Sequence, residues 1–343
     1  MAPGDLPMPA AIEEFRAGGR PFGLDEVAGR DRPLVVRGLV RDWPVVALAR
    51  QSDTAFAMRL AELDSGEPVD TLLVPPGEDG IVGYAPDLAG FNYEHHRVSL
   101  TQGLQRLARY SRQPDVPAPG VAIQSAPVAA CLPGFREEHA LPFLGEDVQP
   151  RIWIGNRVTT PVHFDAFHNI ACVVCGARRF TLFPPEQLPN LYIGPLDFAP
   201  TGAAIGMARL DRPGDPRFPR LKTALAAAQV AELAPGDAIY IPPMWWHHVE
   251  SLERLNAMVN YWWKPVTGDG YASDQALGAL MHCILSFKSL TAGEKAGWKA
   301  LLDYYVFGED DPAAHIPESR RGVLGPLTPE RVAWLKQAAR RYL

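Results

Sequence analysis

At 343 residues the chain exceeds the usual size of one hydrophobic core, so a main domain with an appended smaller part is expected. Its hydrophobic fraction of 47% and charged fraction of 21% are those of a globular protein and exclude extensive disorder. The net charge of -6 argues against a phosphate-binding surface. No apolar run reaches membrane-spanning length, and the opening residues lack the basic and apolar parts of a signal peptide, so a cytoplasmic protein with neither membrane nor nucleic acid as partner is expected.

In chain order, residues 9–17 and 53–64 are expected to be helical, with a short strand at 33–38 between them. Residues 69–74 read as a strand, the Pro- and Gly-rich run 75–80 as a loop, and 99–111 as a helix carrying Leu100, Leu104 and Leu107 on one side. From about Val121 the pattern changes to short strands at 121–124, 151–155, 159–164, 168–175, 178–183, 229–233, 238–241, 245–251 and 256–263. Such a series with Gly and Pro punctuation indicates an antiparallel sandwich or barrel. The stretch 186–228 is too long for a hairpin turn and reads as an insertion on one rim. After Pro265 helices return at 272–288, 292–306 and 328–342. The expected organisation is a mixed α/β part at 1–120, a β core at 121–265 and a helical region at 266–343 that packs on the core or forms a homodimer.

Two residues apart on a strand, His163 and Asp165 point to one side, and His247 in a later strand supplies a second imidazole. Two histidines and one carboxylate with other positions left open suit non-haem Fe(II) and its reactions with dioxygen. On the next strand Arg178 shares parity with Phe180 and Leu182, so its charge points inward and requires a partner. A dicarboxylate held by bidentate contact would provide one. Thr160, Asn169 and Asn260 are polar residues in apolar strands, suited either to ligand contacts or to hydrogen bonds within the core. His248 faces away from His247. His168 reads as a turn histidine near the site, His95 and His96 as a solvated loop or rim, and Trp245, Trp246, Trp262 and Trp263 as core and pocket wall. The four cysteines are too few and scattered for a disulfide framework, and Cys172 and Cys175 read as small core residues.

Several ordered motifs carry a family likeness. Thr160-Pro161-Val162-His163-Phe164-Asp165 is followed by Asn169, Gly176-Ala177-Arg178 through Pro185, Leu191-Tyr192, Pro235-Gly236-Asp237, Ile241-Pro242-Pro243, Trp246 through Ser251, and Asn260-Tyr261-Trp262. In this order the chain resembles the jumonji-C, cupin-like 2-oxoglutarate oxygenases, and within them the branch of the asparaginyl hydroxylase that restrains hypoxia-inducible factor. The likeness covers about Val121 to Pro265, with Val35-Val36-Arg37-Gly38 and Trp43-Pro44 similar to an earlier part of that branch.

The resemblance implies a mainly β fold, a double-stranded β-helix (jelly roll), with Fe(II) on His163, Asp165 and His247. It implies 2-oxoglutarate as co-substrate, held by Thr160 and Arg178 with Asn260 in the same pocket, and places Asn169 and Gln124 nearby. Arg178 stands where the family often has Lys. Ala122 cannot donate the hydrogen bond expected from its strand, which leaves Gln124 for that role. Residues 200–210 are mostly apolar where the hydroxylase grips its peptide with polar groups. The implied reaction is hydroxylation of a protein or peptide side chain with release of succinate and carbon dioxide. N-methyl demethylation, small-molecule hydroxylation and a non-catalytic cupin-like binding role are the alternatives.

Overall fold

Alternation of side chains between two surfaces runs through the strands on either side of the insertion, and the computed structural model shows what each surface meets. It describes residues 9–15, 21–113, 117–200, 202–264 and 276–341. The chain divides into two units, Met1–Trp263 and Lys264–Leu343.

The first unit opens with β1 (Ala10–Ala11), β2 (Leu34–Val36), α1 (Pro44–Gln51), α2 (Asp53–Leu63), β3 (Val69–Val74), β4 (Glu94–Val98) and α3 (Leu100–Ser111). It continues with β5 (Gly120–Pro127), α4 (Val128–Cys131), α5 (Phe135–Glu138), β6 (Pro150–Gly155), β7 (Thr159–Phe164), β8 (His168–Cys175) and β9 (Arg178–Phe183). After the insertion, which holds α6 (Leu221–Ala226), come β10 (Gln229–Leu233), β11 (Ala238–Ile241), β12 (Trp246–Ser251) and β13 (Asn256–Trp263). A five-stranded sheet has the order β1-β10-β9-β12-β7, and an eight-stranded sheet the order β2-β11-β8-β13-β6-β5-β3-β4. Apart from the short parallel contact of β1 with β10, the strand pairs are antiparallel.

The inner faces of the two sheets share one apolar cluster. Phe180, Leu182, Leu233 and Val249 from the five-stranded sheet meet Val35, Ala171, Val173, Ile239 and Met258 from the eight-stranded sheet. Burial of both inner faces is what holds a β-sandwich together. The alternate residues of the larger sheet, among them Ile152, Ile154, Ile170, Cys172, Val259 and Tyr261, pack outward with Phe56, Leu60, Leu100, Leu104 and Leu107 of α2 and α3. Helix α3 is fixed at its start by a reciprocal cap between Ser99 and Gln102. The outer face of the smaller sheet is covered by the insertion, where Leu221, Ala224 and Leu225 of α6 pack with Phe183 and Trp246.

Gly176 makes the β8–β9 turn at φ +69, and a Cβ there would lie 2.4 Å from the Leu255 carbonyl oxygen and 2.5 Å from Asn256 Oδ1. Only glycine meets both demands, and the turn sets Arg178 at the start of β9. Cys172 and Cys175 are buried, and burial pushes both thiols well above their ordinary range.

The expected helix at 9–17 is absent over residues 9–15. Ala10 and Ile12 donate to the carbonyls of Ala228 (3.0 Å) and Val230 (3.1 Å), and Phe15 donates to Val35 (2.8 Å). A short isolated helix is marginal, and pairing with two exposed strand edges outweighs the propensity of Ala and Glu. Residues 16 and 17 lie outside the described residues. His95 and His96, expected in a solvated loop or rim, lie in edge strand β4, where His95 Nε2 lies 3.2 Å from Asp70 Oδ1 and His96 Nε2 lies 3.0 Å from Glu94 Oε2. A charged edge strand resists pairing with other chains.

In the second unit the helices are α7 (Ala276–Phe287), α8 (Ala292–Leu302) and α9 (Pro329–Arg340), with a π-helical turn at Asp303–Phe307 after α8. Residues 272–275, included in the expected helix at 272–288, lie outside the described residues, as does 342. No helix among the described residues is long and apolar enough to cross a membrane.

Candidate metal centre

Strands β7 and β12 are antiparallel neighbours with His163 opposite His247. That register brings the two imidazoles to 4.1 Å between ring centroids. Asp165 follows the end of β7, and its Oδ2 lies 3.6 Å from His247 Nε2. The Met244 amide donates to the Asp165 carbonyl oxygen at 2.8 Å, tying the segment before β12 to the one after β7. One ligand atom from each of His163, Asp165 and His247 lies within 4.8 Å of the others.

Backbone carbonyls decide which imidazole nitrogens are free. His163 Nδ1 lies 2.8 Å from the Pro161 carbonyl oxygen and His247 Nδ1 lies 3.0 Å from that of Trp245. A carbonyl only accepts, so both Nδ1 atoms carry hydrogen and both Nε2 lone pairs are left for a metal. Burial, reinforced by His163, holds the His247 imidazole well below its ordinary pKa, so it is neutral at pH 7. Two imidazoles, each offering its Nε2, and a carboxylate form a donor set that fits a divalent first-row metal such as Fe(II).

Trp262 also belongs to this centre. Its Nε1 donates to Asp165 Oδ2 at 3.1 Å. Its strand setting in the sequence predicts core and pocket wall. Its position two residues beyond Asn260 on one strand was the signal for an inward direction, but nothing in the sequence pointed to the carboxylate.

Arg178 is 7% exposed, and its Nε has no hydrogen-bond partner among the described residues. Burial brings its pKa down to about 10. Phe180 and Leu182, at alternate positions on the same strand, lie in the inner cluster with Val249. A buried guanidinium with an unpartnered Nε is costly, and a dicarboxylate is the kind of ligand that would relieve it.

The remaining predicted residues divide between the sheets. Thr160 is on β7 opposite Val249, the same sheet as the two histidines. Asn169 on β8 and Asn260 on β13 are in the other sheet and linked to each other, Asn260 Nδ2 donating to Asn169 Oδ1 at 3.3 Å and Trp153 Nε1 donating to Asn260 Oδ1 at 2.8 Å. Gln124 is half-buried in the irregular part of β5 between Ile123 and Ala126. The neighbouring Ser125 carbonyl accepts from Arg151 Nη1 at 2.8 Å. His168 at the start of β8 makes a 2.7 Å hydrogen bond with the Tyr240 hydroxyl and stacks on Trp263 at 5.3 Å. His248 faces the opposite side from His247 and is buried against a cavity of about 770 Å³ shared with Thr181 and Glu250. Burial brings its pKa down to about 3.

Comparison with known proteins agrees with this geometry. The chain is 33% identical over 144 residues, 39% of its length, to Jumonji C domain-containing protein 5 of Drosophila melanogaster, covering 34% of that protein. It is 37% identical over 103 residues, 30% of its length, to Lysine-specific demethylase JMJ31 of Arabidopsis thaliana, covering 18% of it. Human HSPB1-associated protein 1 is 29% identical over 136 residues, 39% of this chain and 27% of the relative. The matches thus span about a third or less of these relatives' length. The family described as a cupin-like domain matches residues 20–269, which include every strand but β1 and all three candidate ligands. The chain therefore belongs to the cupin-like domain family.

Proposed function

We propose that this chain is an Fe(II)- and 2-oxoglutarate-dependent oxygenase that hydroxylates a protein or peptide side chain, in the branch that resembles the asparaginyl hydroxylase. The observation that carries the reading is the approach of His163, Asp165 and His247 ligand atoms to within 4.8 Å of one another. The buried, unpartnered Nε of Arg178 supports it.

His163 and His247 would offer their Nε2 atoms, and Asp165 its carboxylate, leaving further metal positions for co-substrate and dioxygen. When bound, the iron would supply the coupled oxidation of the oxoacid to succinate and carbon dioxide and of a substrate C–H to an alcohol. Arg178 would pair with the carboxylate of 2-oxoglutarate remote from the metal, with Thr160 donating its hydroxyl. We assign Asn260, Asn169 and Gln124 to the pocket wall. Phe180, Leu182, Val249 and Met258 form an apolar surround, which strengthens the charged contacts by excluding water.

Similarity to the Arabidopsis lysine-specific demethylase favours a second reading. Hydroxylation of an N-methyl carbon gives an unstable product that loses the methyl group, so N-methyl demethylation is available to the same centre.

Titration of metal-free protein with Fe(II) and 2-oxoglutarate under nitrogen tests the proposal. The expected result is a weak visible charge-transfer band, absent from His163→Ala, and succinate formation once oxygen is admitted. Protein that binds neither iron nor the oxoacid would mark the chain as a non-catalytic member of its family.

A further inference from the structure

The geometry points to Trp262 as a positioning residue for the metal centre, acting through the carboxylate of Asp165. This rests on the reading of His163, Asp165 and His247 as a metal site. Asp165 lies just beyond the last residue of β7, so the strand ladder does not orient its side chain. Its backbone is held by the Met244 amide, which donates to its carbonyl oxygen at 2.8 Å. The carboxylate itself is fixed from the opposite sheet, where Trp262 Nε1 donates to Oδ2 at 3.1 Å. This is the same oxygen that lies 3.6 Å from His247 Nε2.

The indole is itself constrained. Trp262 is opposite Asn169 in the β13–β8 ladder, its ring meets Trp153 edge to face at 6.1 Å, and the Arg151 guanidinium lies 6.0 Å from its ring centre. Trp153 in turn donates its N–H to Asn260 at 2.8 Å. Two indoles at nearly right angles thus divide their donors, one to a candidate metal ligand and the other to an asparagine.

The N–H of Trp262 has two consequences for Asp165. It occupies one lone pair of the carboxylate, which favours attachment to a metal through one oxygen and conserves open positions. It also limits rotation of the carboxylate, so less freedom is lost when a metal arrives. Partners of this kind around a metal ligand are worth about 10- to 100-fold in metal affinity.

Trp262→Phe retains an aromatic ring and removes the N–H. Metal-free protein is titrated with Co(II), whose visible d–d bands report both affinity and ligand geometry. Trp262→Phe is expected to bind about 10- to 100-fold more weakly than wild type, with altered bands. Trp43→Phe, which alters a buried indole in the outer apolar cluster that holds none of the candidate ligands, is expected to stay within about threefold. Equal affinities for wild type and Trp262→Phe would overturn the inference, as would equal losses in the two variants. Failure of wild type to bind Co(II) would instead refute the metal site itself. If Trp262→Phe does not fold, the assigned indole N–H resonance of Trp262 in ¹⁵N-labelled wild type is followed during Zn(II) addition. A shift larger than that of Trp43 is expected, and no shift overturns the inference.

Discussion

Replacement of Arg178 by Met separates stability from ligand binding at a single residue. In the folded chain, burial brings the guanidinium pKa from 12.5 down to about 10. The group is charged in folded and unfolded chains at pH 7, so this shift corresponds to about 3 kcal/mol by which the charge destabilises the fold. Methionine has a similar length without the charge, and loss of shape complementarity costs about 1 kcal/mol. A net gain of about 2 kcal/mol in the metal-free protein is therefore expected, read as a higher urea midpoint by tryptophan fluorescence at pH 7. The same variant should lose affinity for 2-oxoglutarate, measured calorimetrically in the presence of Mn(II), by on the order of 100-fold, because the partner of a buried carboxylate has been removed. An arginine engaged in a buried ion pair would behave in the opposite way, its removal costing about 3–5 kcal/mol. A less stable Arg178→Met with unchanged oxoacid affinity would refute both the unpaired charge and its assigned ligand.

Two further substitutions test the frame that carries the site. The His139 imidazole accepts from the Val45 amide at 3.1 Å through Nε2 and donates Nδ1–H to the Phe135 carbonyl at 2.6 Å. His139→Gln should cost about 2–3 kcal/mol by leaving buried polar groups unpaired. Burial lowers the His139 pKa, so the unfolded chain takes up a proton at higher pH than the folded one does. The contribution of His139 is therefore complete above about pH 6.5 and declines as pH falls from there toward the folded value. The difference in urea midpoint between wild type and His139→Gln should be constant from pH 8 to 7 and shrink toward pH 5; a constant difference throughout would contradict the argument. Gly176→Ala places a Cβ 2.4 Å from the Leu255 carbonyl oxygen at φ +69 and should cost about 3 kcal/mol or more. Unfolding at wild-type midpoint would show that the β8–β9 turn does not depend on glycine.

Much of the β core is legible because its strands alternate. Residues such as Phe180 and Leu182 or Val173 and Ala171 recur at a period of two, and both pairs face the inner cluster. The inward direction of Arg178 follows from the same parity. Less legible are segments whose structure depends on remote partners. Residues 9–17 read as helix, yet Ala10, Ile12 and Phe15 pair with Ala228, Val230 and Val35. Helix α1 is too short to carry a clear periodicity, although Pro44 at its start suits a first helical position. Its capping partner, His139, is 94 residues from Val45.

For the site, sequence alone determined the available chemistry: the spacing of His163 and Asp165, a later His247 and a cation on an apolar strand. These follow from local rules, since strand geometry relates residues two apart wherever the strand lies. Tertiary structure decided the rest. The antiparallel register that sets His163 against His247, the carbonyls that leave both Nε2 atoms free and the reach of Trp262 to Asp165 across 97 positions of the chain all arise from pairing between distant segments. No local propensity encodes such contacts, because they exist only once both sheets are closed around one core.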